Sequence, residues 1–99
     1  MIQVVNKYKT LRSYIYIGRG SALGNPYVIG KDGTRDEVCD KYEEWFIKQV
    51  ASEGSTAFFR QLEIIRDQAR DGYASLGCFC KPQRCHGDFI KQYIEENLL

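Results

Sequence analysis

Apolar and polar positions follow two different periods along the chain, and the switches between them predict its elements. Ile2-Gln3-Val4-Val5 is a short strand, and Tyr14-Ile15-Tyr16-Ile17 is a second, rich in aromatic and β-branched residues. In the second, Tyr and Ile alternate, so one pair faces a core. Residues 8–13 are polar and basic and read as a loop. Tyr27-Val28-Ile29 is a short extended piece, and 30–33 a turn. From Thr34 the period becomes helical: Val38, Tyr42, Trp45 and Phe46 share one face, and Asp36, Glu37, Asp40, Glu43 and Glu44 take the other. Thr34 and Glu37 have capping-box spacing, and the helix should stop before Gly54. Ser55 or Thr56 caps a second helix with Phe58, Leu62, Ile65 and Ala69 as its inner stripe, Ile64 off the stripe and Gly72 at its end. Residues 73–80 read as a buried strand running into a loop. A last helix runs from Cys85 or His86 to Glu96, with Phe89, Ile90, Tyr93, Ile94 and Leu98 inside.

This order predicts a compact α/β fold in a single domain, 1–99, with a small sheet of three or four strands and about three helices. Ligands of such sheets sit beyond the carboxyl ends of strands, near helix N-termini. The two least ordinary segments, 18–26 and 77–88, both follow strands and are expected to meet.

Composition narrows the function classes. The chain has 99 residues, 43% hydrophobic and 27% charged, the balance of a soluble globular domain. No run approaches the ~20 apolar residues of a membrane helix. The N-terminus has no secretion-signal pattern, so the expected location is cytoplasmic. Net charge is only +1, but residues 1–35 carry Lys7, Lys9, Arg12, Arg19, Lys31 and Arg35 against Asp32 alone. A basic third of this kind suits an anion site and is too weak for a long nucleic-acid track.

Cys78, Cys80, Cys85 and His86 fall within nine residues, and three chemistries compete for them. Their donor types suit tetrahedral zinc, although Cys-x-Cys on a strand followed by adjacent Cys-His on a helix start would need a distorted loop. Alternatively, Cys85 at a helix N-terminus beside Lys81 and Arg84 would be a low-pKa thiol, with His86 aimed at the cleft, Gly87 allowing close ligand approach, and Asp88 accepting first-turn amides. The third reading is structural: Cys39 and Cys78 as small core residues, and His86 as a satisfied core histidine. The loop Gly18-Arg19-Gly20-Ser21-Ala22-Leu23-Gly24-Asn25-Pro26 is neither a dinucleotide fingerprint nor a P-loop. It is either a wide turn or a cradle in which Gly18 and Arg19 receive an anion and Ser21 and Asn25 offer directional hydrogen bonds.

These two segments, from Tyr16 to Pro26 and from Leu76 to Asp88, resemble the two signatures of the DUF4326 family, small proteins of phages and bacteria. The resemblance covers most of the chain; the middle is similar only in kind, through the Tyr42-x-x-Trp45 helix. It places the family's characteristic residues on Arg19, Asn25, Pro26, Cys78, Cys80, Pro82, Cys85, His86 and Gly87, with Trp often standing where Phe79 is. It implies no activity.

Taken together, the residues lead to binding, with hydrolytic processing as an extension, of a nucleotide-like or other phosphorylated small ligand. It would sit between the Gly-rich loop and the last helix start, with no cofactor. In an enzyme, His86 would be the acid/base, Arg19 the anion clamp and Cys85 a nucleophile or lining residue. The alternative is a zinc-stabilised adaptor or inhibitor, held by Cys78, Cys80, Cys85 and His86, that binds a host protein or nucleic acid. A homodimer that completes the site is compatible with either.

Overall fold

The computed structural model describes residues 1–11, 13–52 and 55–99; Arg12 of the basic N-terminal third and the helix-ending Gly54 lie outside them. The elements are β1 (Ile2–Asn6), β2 (Ile15–Tyr16), α1 (Arg35–Ala51), α2 (Thr56–Arg70), β3 (Ala74–Cys78) and α3 (His86–Asn97). They make an α/β fold on a three-stranded sheet of order β1-β3-β2. Both pairings are parallel: Val4 lies beside Leu76, and Ile15 also beside Leu76. All three strands therefore leave the sheet at the same edge.

β3 is buried along its whole length, as the central strand of a parallel sheet must be. Ala74, Leu76 and Cys78 join Ile2 and Ile17 in one apolar cluster with the helices. α2 contributes the predicted stripe of Phe58, Leu62, Ile65 and Ala69, while Ile64 is exposed. α1 contributes Val38, Tyr42 and Phe46, with Trp45 only half-buried at the edge of the cluster. α3 contributes Ile90 and Ile94, and its Phe89 and Tyr93 lie edge-on against Phe46. Caps fall where the spacing predicts: Thr34 and Glu37 close a capping box on α1, and Ser55 caps α2, each such cap being worth about 1 kcal/mol.

Close approach fixes two glycines. A Cβ at Gly77 would strike the Tyr14 ring, which lies over the other face of the sheet. A Cβ at Gly87 would fall 2.7 Å from Ile17 Cδ1 and 2.9 Å from Val4 Cγ1, so Gly87 lets the first turn of α3 rest on the sheet.

The Gly-rich loop is pinned from below. Gln61 of α2 donates to the Tyr16 carbonyl at 2.9 Å and accepts from the Leu23 amide at 3.0 Å. The Tyr42 hydroxyl donates to the Leu23 carbonyl at 2.7 Å inside the core, and Leu23 itself is fully buried. Tyr42→Phe leaves that carbonyl without its buried donor, and the expected loss is about 1–3 kcal/mol of folding stability. Urea unfolding of the two proteins measures it, and an unchanged midpoint would remove this anchor from the account.

Candidate functional site

The loop after β2 and the loop after β3 meet above the sheet edge. His86, the first residue of α3, donates from Nε2 to the Ile17 carbonyl at 2.5 Å. Its ring packs edge-on against Tyr42 with centroids 5.0 Å apart. Between the loops and the start of α1 lies a cleft of about 310 Å³. Its wall takes Gly18, Arg19 and Asn25 from the first loop, Arg35, Val38 and Cys39 from α1, and Cys78, Phe79, Cys80, Arg84, Cys85 and His86 from the second segment. Tyr27, Val28 and Ile29 complete it.

Ser21, Gly87 and Asp88 are not on this wall. Ser21 donates its hydroxyl to the Gly18 carbonyl at 2.7 Å, closing the loop on itself. Asp88 accepts the Cys85 amide at 3.2 Å as the second half of a capping box, and it pairs with Lys81. The amides of Gly87 and Asp88 are also taken, by the Cys85 sulfur at 3.4 Å and the Cys85 carbonyl at 3.0 Å. The start of α3 thus spends most of its donors on its own cap, and its electropositive end already carries a carboxylate. Asn25 reaches the wall, but its side chain forms the turn: it accepts from the Tyr27 amide at 2.9 Å and donates to the Val38 carbonyl at 3.3 Å.

A family model described as a domain of unknown function, DUF4326, matches residues 2–96. The chain belongs to the DUF4326 family. A relative in Enterobacteria phage T4, the uncharacterized 12.4 kDa protein in the nrdA-td intergenic region, is 36% identical over 95 residues. That match covers 95% of this chain and 78% of the relative. No solved structure matches.

In this DUF4326 chain the arginines at the cleft differ in their company. Arg84 is held by three carboxylates on one face of α1: Asp36 at 3.2 Å, Asp40 at 2.9 Å and Glu43 at 2.9 Å. Asp40 and Asp36 raise its pKa further, and the three together make it a clamp between α1 and the segment leading to α3. Arg35 donates to the Arg84 carbonyl at 3.2 Å, and Arg19 to the Tyr27 carbonyl at 3.2 Å. Among the described residues neither Arg19 nor Arg35 has a carboxylate partner. Sequence reading missed Arg35, which stands at the first helical position of α1. The available signal was the parallel order, which aims that helix start at the strand exits.

The thiols are ordered by their neighbours. Cys85 is buried and interacts electrostatically with the thiols of Cys78 and Cys80. This pushes Cys85 up and draws Cys78 and Cys80 down to about 6. Cys80 is the more exposed, and the Arg35 guanidinium also lowers its pKa, which favours it as the seat of the charge. Cys39 is buried, and burial pushes its thiol up. No set of three or more His, Cys, Asp or Glu side chains among the described residues is placed to hold a metal ion. His86 has one ring nitrogen on the Ile17 carbonyl and the other 3.6 Å from Cys85 Sγ.

Burial lowers the His86 pKa, and Arg19 adds to the effect, against the Ile17 hydrogen bond and Asp88. A folded-state pKa below the unfolded value means that the unfolded chain binds the extra proton first. The contribution of neutral His86 is complete above the unfolded value of ~6.5 and declines as pH falls below it. Denaturant midpoints should therefore drop between pH 7 and pH 5 in the native chain. His86→Gln should show a flatter profile over that window, and an equal slope in both would contradict the buried neutral ring.

Proposed function

We propose that the cleft binds a phosphorylated small molecule of nucleotide size. The observation that carries this reading is the charge of the wall. It holds Arg19, Arg35 and Arg84 and no aspartate or glutamate. Only Arg84 is neutralised by carboxylates from outside the cleft. Two guanidiniums facing one small volume repel each other, and a dianion between them relieves that repulsion while giving both bidentate hydrogen bonds. Tyr27, Val28, Ile29 and Phe79 give the wall an apolar and aromatic part, as in most small-molecule sites, and the volume lies at the small end of their range.

The Nε2 proton of His86 is committed to the Ile17 carbonyl, so a general acid/base there would first have to give up the contact that joins the two loops. Of the thiols on the wall, Cys80 is the most exposed and nucleophile-like, whereas Cys85 is buried and its pKa is pushed up. The anion clamp falls to two residues, Arg19 and Arg35, where sequence pointed to Arg19 alone.

The test is calorimetric titration with ribose 5-phosphate. Arg19→Gln and Arg35→Gln should each weaken binding by about tenfold or more, the usual cost of one charge-assisted hydrogen bond. Arg84→Gln should lower stability and leave affinity within about twofold, because its charge is already spent on α1. No binding of ribose 5-phosphate, or equal affinity in all four proteins, would overturn the reading.

A further inference from the structure

The carboxyl edge of the sheet carries a second, aromatic feature beside the arginines. Each parallel strand delivers one ring there. Tyr8 lies two residues beyond β1, Tyr16 ends β2, and Phe79 follows β3 directly. Phe79 is 5.2 Å from Tyr8 and 5.9 Å from Tyr16, centroid to centroid. The Lys7 ammonium stands over all three rings, 4.9 Å from Phe79, 5.1 Å from Tyr16 and 5.5 Å from Tyr8.

The group is held in place and yet left open. Lys7 continues the β1–β3 ladder by donating to the Cys78 carbonyl at 2.8 Å. Asn6 donates to the carbonyls of Phe79 and Lys81 at 3.3 and 2.8 Å, fixing the turn that presents the Phe79 ring. Still, Phe79 is 43% exposed and Tyr8 76% exposed. The feature is continuous with the cleft: Phe79 is part of its wall, and the Tyr16 hydroxyl donates to the Arg19 carbonyl at 2.9 Å.

The chemistry of the group selects its occupant. The ammonium already over the rings repels a cationic ligand. An aliphatic surface laid here would strip water from that ammonium and return no hydrogen bond. A flat heteroaromatic ring meets both needs, stacking on the exposed ring faces while its carbonyl or ring-nitrogen lone pairs accept from Lys7.

We propose that Lys7, Tyr8, Tyr16 and Phe79 form a nucleobase platform contiguous with the arginine cleft, which makes the preferred ligand a free nucleoside phosphate rather than a sugar phosphate. This rests on the phosphate reading of the cleft and adds the base to it.

Titration with two probes, AMP and ribose 5-phosphate, separates the two claims. In the native chain AMP should bind about tenfold or more tighter than ribose 5-phosphate, the scale of one base stacked on an aromatic side chain. Tyr8→Ala, outside the cleft wall, should erase most of that advantage and leave ribose 5-phosphate affinity unchanged, and Phe79→Ala should erase the advantage as well. Tyr8 is exposed enough for its removal to spare the fold, which far-ultraviolet circular dichroism checks. Equal affinity for the two probes, or an AMP advantage that survives both variants, overturns the platform while the arginine cleft stands. If instead the ring variants weaken AMP and Arg35→Gln changes neither probe, the platform stands and the phosphate reading falls. Failure of both probes to bind overturns both.

Discussion

The parallel pairing of β3 with both of its neighbours is the constraint from which the rest follows. A parallel sheet releases all its strands at one edge, so the three segments that follow β1, β2 and β3 must share a small area of surface. Of these, the second and third are the Gly-rich loop and the cysteine-histidine turn. Their meeting is made specific by one hydrogen bond, from His86 Nε2 to the Ile17 carbonyl. Burial of that ring keeps it neutral, and neutrality leaves one nitrogen to donate and the other to face Cys85. Gly87 then allows α3 to settle on Val4 and Ile17.

Charge is partitioned over this frame with some economy. α1 carries its acids on one helical face, at Asp36, Asp40 and Glu43, and all three are turned to Arg84. That network ties α1 to the approach of α3 and keeps carboxylates away from the cleft. Arg19 and Arg35 are left with backbone carbonyls as partners. A carbonyl accepts a hydrogen bond without cancelling a charge, so the cleft retains its positive character and a demand for an anion.

Much of the fold was legible in the sequence because its signals were local. The capping box at Thr34 and Glu37, the α2 stripe from Phe58 to Ala69, and the Tyr-Ile alternation around β2 each depend on neighbours a few positions away. The meeting of the two loops was legible as well, since it needs only that both follow strands of one sheet. The assignment of individual side chains was not. Asp88, Ser21 and Gly87 carry the residue types of a ligand site, yet they serve the cap, the loop closure and the helix–sheet contact. Nothing in their spacing distinguishes those roles, because each is decided by a partner such as Lys81, Gly18 or Val4. Arg35 was missed for the converse reason: its importance comes from the long-range placement of a helix start beside Cys80. The sulfur cluster shows the same limit. Cys85 has the sequence position of a reactive thiol, but the fold buries it more deeply than Cys80, although both line the cleft.

The most direct test of the central claim is the backbone amide spectrum of isotope-labelled protein during titration with a nucleoside monophosphate. The account predicts saturable shifts at Gly18, Arg19, Arg35, Phe79, Cys80 and residues 84–86, the strand exits and the helix start that face one another. The groove on the far side of the sheet, lined by Gln3, Leu11 and Ser75, should stay silent. Shifts confined to that groove, or a spectrum that does not move, would contradict it.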